Sequence, residues 1–274
     1  MPQRFRSAAI WCAAALVAAA VMAVARPAAG QAPAAYKAPR TADGKPDLNG
    51  VWQAVNTANW DIQDHAARSG PLPVLGAAFS VPAGQGVVDG NEIPYQPWAA
   101  KKKQENGENW VKLDPEVKCY MPGVPRATYM PYPFQIVQTP ANILVAYEFA
   151  SASRVIRMNS KAESPTDSWM GWSRGRWEGE TLVVDVTSLG EDTWFDRAGN
   201  FHSDALHVVE RYTPVSPDVL SYEATIEDSK VFTRPWKMRM PLYRRLEKNA
   251  KVLEYKCVEF AEELLYGHLR KTPR

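Results

Sequence analysis

From Phe134 onward, apolar and polar residues alternate with a period of two. Leu182, Val184 and Val186 fall on one face, with Thr181, Val183, Asp185 and Thr187 opposite. Leu220, Tyr222, Ala224 and Ile226 oppose Ser221, Glu223, Thr225 and Glu227 in the same way. Trp236, Met238 and Met240 alternate with Lys237 and Arg239, and Leu253, Tyr255 and Cys257 alternate with Glu254 and Lys256. Further β-rich runs occupy Phe134–Gln138 and residues 143–149, 154–158 and 205–213. Arg176-Trp177, Glu178-Gly179 and residues 180–186 read as strand, turn and strand. Seven or more half-buried strands in succession must curl into a barrel or split into two sheets. Tight hairpin connections favour the barrel, so the pattern predicts a mainly β fold: an antiparallel β-barrel, with a β-sandwich as the alternative. A barrel of about eight strands can hold one small ligand.

Before Phe134 the texture differs. Residues 31–48 are rich in Pro and Ala without a period and read as a linker or surface arm. Gly50-Val51-Trp52 opens the globular part. The stretch 70–97 carries ten Gly and Pro residues and reads as loop. Residues 97–106 predict a short helix, with Pro97 at its first position and Gly107 to stop it. Residues 258–269 predict a closing helix with Ala261, Leu264 and Leu265 inward. The expected organisation is therefore a leader (1–30), an arm (31–48), a loop-rich segment packed on the barrel (49–133) and an antiparallel β domain (134–274).

The leader sets the compartment. Arg4 and Arg6 precede an uncharged apolar run, residues 7–25, and Ala23-Val24-Ala25 fits a small-residue cleavage site. This is the three-part logic of a secretory signal, with an uncleaved membrane anchor as the other reading. The place expected is the periplasm or the exterior. Of the 274 residues, 46% are hydrophobic, and Lys+Arg is 32 against Asp+Glu 30. That excludes a disordered polymer and a nucleic-acid binder working through bulk charge. Without residues 1–30 the balance is 29 basic against 30 acidic, so no charged partner is steered by net charge. The membrane enters only through an uncleaved leader. Two cysteines remain, Cys119 and Cys257, and an even pair in an oxidising compartment predicts a disulfide.

The chemistry concentrates in one connection. Residues 188–204 (SLGEDTWFDRAGNFHSD) are long for a link between strands, and such loops tend to be functional or disordered. Trp194, Phe195 and Phe201 argue against disorder. Asp196, His202, Asp204 and the following His207 form a candidate acid–base set, since His titrates near neutrality and a carboxylate can orient it. The loop is expected to border the principal pocket. Trp194, Phe201, Arg197, Glu210, Trp177 and Tyr129 are candidate ligand contacts, because flat aromatic surfaces with polar edges suit ring-containing molecules. With neither HxH nor HExxH, and two Cys far apart, no metal is called for. No P-loop, dinucleotide fingerprint or nucleophile elbow appears, so no cofactor is expected. Two readings follow: an exported barrel that binds an apolar or ring-containing small molecule, or a periplasmic hydrolase, lyase or isomerase using His and Asp.

The segments PRTADGKPDLNGVW (39–52), KCYMPGVPRATYMPYPFQI and RWEGETLVVDV resemble those of a group of uncharacterised secreted bacterial proteins. The resemblance covers nearly all of the chain after the leader and implies export. It brings no activity, cofactor or site residue, and the likeness to lipocalins is one of architecture only.

Overall fold

A computed structural model describes residues 36–70, 77, 80–255, 257 and 258. The leader, the first part of the arm and the closing helix expected after Val258 lie outside the described residues.

Nine strands form a closed barrel in sequence order. They are β1 (Gly50–Ala54), β2 (Phe134–Gln138), β3 (Asn142–Tyr147), β4 (Ser153–Met158), β5 (Trp172–Glu178), β6 (Thr181–Thr187), β7 (His207–Ser216), β8 (Val219–Glu227) and β9 (Trp236–Arg244). The mainly β class and the barrel agree with the alternation in the sequence. β5 and β6 form the expected hairpin, turning at Gly179, whose φ of 60° favours glycine.

Three expectations need correction. The barrel is mixed, not wholly antiparallel: β4 and β5 run parallel from Ile156↔Ser173 to Met158↔Gly175. Residues 159–171 carry the chain back along the barrel between them, a crossover that period-two patterning does not reveal. The barrel also does not begin at Phe134. β1 comes from the loop-rich segment and closes the ring between β2 and β9, pairing Trp52 with Phe134 and with Arg244. Finally, residues 251–255 and 257 alternate like a strand but join no ladder. Tyr255 instead packs against Tyr132 and Phe149, and Cys257 is bonded to Cys119 across a separation of 138 residues.

Inward side chains fill the ring. Trp52, Phe134, Ile143, Val145, Val184, Val208, Tyr222, Met238 and Leu242 are all buried in one core. The N-terminal arm closes the lower end: Leu48 is buried there and its carbonyl accepts the Trp52 indole N–H at 3.0 Å. A helix, α1 (Pro97–Glu108), stands where Pro97 predicted it and ends two residues beyond the expected stretch. Together with the turns around residues 56–64, 114–129 and 228–235 and the long 188–204 connection, it lies toward the upper end, where β6 stops and β7 starts.

Candidate functional site

A polar constellation lies inside the barrel. Arg154 occupies an inward position on β4 and Glu210 an inward position on β7, and their side chains are almost wholly buried. The guanidinium donates from Nη1 to Glu210 Oε2 (2.6 Å) and from Nη2 to Glu210 Oε1 (3.0 Å). The Tyr212 and Tyr222 hydroxyls also donate to Glu210 Oε1, at 2.9 and 2.8 Å. Arg154 Nε donates to the Tyr147 hydroxyl at 3.0 Å. Burial and the adjacent Glu210 carboxylate push the Tyr212 and Tyr222 phenols well above their usual pKa, so both remain donors. This cluster is a satisfied plug at the centre of the barrel. Of its members only Glu210 is a candidate from sequence, and its partner is Arg154 rather than a histidine.

The 188–204 connection is pinned across the upper end by its own charges. Asp196 is fully buried and accepts from Ile62 N (2.9 Å), Asn200 N (3.1 Å) and Asn200 Nδ2 (2.6 Å). Burial and the neighbouring Asp61 charge push its carboxyl up to about 7. Arg197 grips Glu116 with two bonds of 2.6 and 2.8 Å and lies over the rings of Trp60 and Trp110. Trp194 packs on the same small cluster as Trp110, Val111 and Val117. Phe201 stacks on Tyr95. Tyr129 is buried and donates its hydroxyl to Phe195 O at 2.8 Å. Below this layer Arg126, also buried, binds Asp114 through two nitrogens at 2.8 and 2.9 Å.

The four acid–base candidates are not brought together. His202 is buried, its Nε2 against Thr193 Oγ1 (2.6 Å) and its Nδ1 against the Ser203 carbonyl (2.8 Å). Burial lowers its pKa. His207 faces outward on β7, as the alternation with Val208 and Glu210 requires, with Nε2 on Asp185 (3.0 Å) and Nδ1 on Glu227 (3.2 Å). Burial works against its charge, but the bonds to Asp185 and Glu227 outweigh it and raise its pKa. Asp204 is an exposed partner of Lys230. The two imidazoles share no partner, and each has both ring nitrogens engaged. Neither offers a free nitrogen to a substrate.

Clefts of about 250, 350, 490 and 240 Å³ open at the surface. None of these is lined by residues 188–204 or by Trp177, which packs on the core. The expectation that the loop borders the pocket therefore finds no support in them. The physical reason is pairing: Asp196, Arg197, His202 and Asp204 are each held by a neighbour, which lets this part of the loop pack down on the residues beneath it. The 250 Å³ cleft lies at the lower mouth, between the N-terminal arm and the β7–β8 turn. Its walls include Tyr36, Pro39, Pro214 and Leu220, with Asp47 and Arg244 as charged groups. Arg244 lies over the Trp52 ring at 4.2 Å and donates from Nη1 to Asn49 O at 2.7 Å. Gly50 makes room for it, since a Cβ there would meet Nη1 at 2.2 Å. Among the described residues no group of His, Cys, Asp and Glu is arranged to hold a metal ion. No protein-family model matches this chain, and no curated protein matches it.

Proposed function

We propose that this protein is an exported binding protein that receives a small apolar or ring-containing molecule at the lower mouth of its barrel. The 250 Å³ cleft carries the reading, because it combines ring-bearing walls with a few convergent polar groups, as ligand sites do. Tyr36, Pro39 and Pro214 supply flat apolar surface. Arg244 and Asp47 supply a donor and an acceptor that fix orientation. The filled interior favours the mouth over the lumen, since a ligand inside would have to displace the Arg154–Glu210 plug. Export is supported by the leader pattern around Arg4, Arg6 and Ala23-Val24-Ala25 and by the likeness to secreted bacterial proteins. The Cys119–Cys257 disulfide is compatible with an oxidising compartment. Among the described residues no helix is long and apolar enough to cross a membrane.

Native mass spectrometry of the protein purified from its own host tests this reading. A retained small molecule is expected, and Pro39→Trp, an exposed position that fills the cleft, should release it. Retention unchanged in that variant, or protein that is consistently empty, would defeat the assignment.

A further inference from the structure

We propose that the outer wall of the barrel carries a second binding site, a cleft for a compact oxyanion built around Arg174 where β4 leaves β5. The two strands pair through three registers only, and β5 then continues to Glu178 alone on that side. The chain turns away at Asn159, whose φ of 53° is left-handed and whose N–H still reaches Gly175 O at 2.7 Å. The space left behind is a cleft of about 350 Å³ lined by Asn159, Ser160, Arg174, Gly175, Arg176 and Asp185.

The donors around it are unequally used. Arg176 is held by Glu178, through Nε and Nη2 at 3.0 and 2.7 Å. Arg174 makes one hydrogen bond, from Nη2 to Asp185 Oδ1 at 2.8 Å, which leaves Nε and Nη1 without a protein acceptor among the described residues. Its side chain is only 32% exposed, so this is a half-buried guanidinium and not a free surface arm. The Asn159 side-chain amide likewise has no acceptor among the described residues. Ser160 Oγ accepts from Ala162 N at 3.1 Å and keeps its own proton to donate. Asp185 is the one carboxylate in the lining, and its charge is already shared between Arg174 and His207. The cleft thus presents a planar cation and two neutral donors around one neutralised acid. That chemistry suits a carboxylate or phosphate group, which a guanidinium binds in a forked geometry with the rest of the ligand left in solvent.

Amide NMR of the intact protein, titrated separately with inorganic phosphate and with acetate at fixed ionic strength, tests the site. Saturable shifts confined to residues 159–160 and 174–176 are expected with at least one of them, and the anion that saturates first identifies the preferred class. Arg174→Gln should weaken binding by roughly tenfold, the loss of a charge-assisted pair. Asn159→Gly tolerates the left-handed backbone, removes the amide and should weaken it several-fold; it decides the matter if Arg174→Gln disturbs the fold. Shifts that stay linear with both anions, or an affinity unchanged in both variants, would overturn the proposal.

Discussion

Replacing Glu210 by Gln should be among the most damaging isosteric changes in the barrel. The side chain keeps its volume, and one oxygen can still accept from Tyr212, Tyr222 and Arg154 Nη2. The second position becomes an NH2 that faces Arg154 Nη1, now a donor 2.6 Å from where its acceptor stood. One charge-assisted hydrogen bond is lost, worth about 1.5–3 kcal/mol. The guanidinium, with its side chain 2% exposed, keeps its charge with no counter-charge against it. Breaking one side of a buried ion pair costs about 3–5 kcal/mol in total. For a domain of this size that corresponds to a fall in Tm of roughly 6–20 °C. Denaturant unfolding followed by tryptophan fluorescence measures the difference directly, and a loss below about 1 kcal/mol would refute the argument. Swapping both charged partners for apolar residues rescues many buried pairs. It should fail here, because Arg154→Met with Glu210→Leu strands the hydroxyls of Tyr147, Tyr212 and Tyr222, each unpaired group costing about 1–3 kcal/mol. Full stability in that double variant would show that the phenols are satisfied by other means.

Three further outcomes are expected. Asp196, with a folded pKa of about 7 against an ordinary 3.8, stabilises the fold most below pH 4 and loses that contribution as pH rises through 7, roughly 4 kcal/mol in all; Asp61→Asn keeps the acceptor for Gln63 N, removes the facing charge, and should flatten this slope in urea midpoints measured from pH 4 to 8. His207, raised above 6.5, contributes fully below that pH and loses its contribution above its folded pKa; His207→Gln should cost under about 1 kcal/mol at pH 5.5 and nothing at pH 9, since the site is half exposed. Reducing Cys119–Cys257, which closes a loop spanning 138 positions, should lower stability by up to about 5 kcal/mol by the chain-entropy argument, and unchanged unfolding midpoints with and without reductant would contradict it.

The barrel was legible because its signal is local. Alternation in β6, β8 and β9 names the inward residues directly, and Val208, Glu210 and Tyr212 sit inward as their register requires. The parallel β4–β5 pair was not legible, since a strand's pattern does not state its direction. Neither was β1, which is five residues long and stands among loops. The central ion pair left a trace that could have been read. Arg154 shares the apolar register of Ile156, while Val155 points to solvent at 39% exposure, an inverted pattern on a buried strand. A basic residue inward on one strand and an acidic one inward on another is the mark of a buried pair, but only the closed ring sets them side by side. The disulfide was read from compartment and parity, and its partners meet at a Cα separation of 5.7 Å.

The charge-rich loop shows how two kinds of site can share one sequence pattern. A cluster of Asp, Arg and His in sequence is equally consistent with groups held ready for a ligand and with groups that satisfy one another. The distinction lies in unused hydrogen-bonding capacity. In the 188–204 loop, Asp196 has three donors, both nitrogens of His202 are engaged and Arg197 is forked onto Glu116. Opening such a layer would expose or strand several buried charges at once, each at a cost of a few kcal/mol. It therefore behaves as a fixed cap on a filled barrel. At Arg174, by contrast, one hydrogen bond is made where a guanidinium can make five, and the neighbouring amide of Asn159 is unspent. A sequence search for function finds the first pattern because it is dense. The second is sparse, and what marks it is the place where β4 ends three residues before β5.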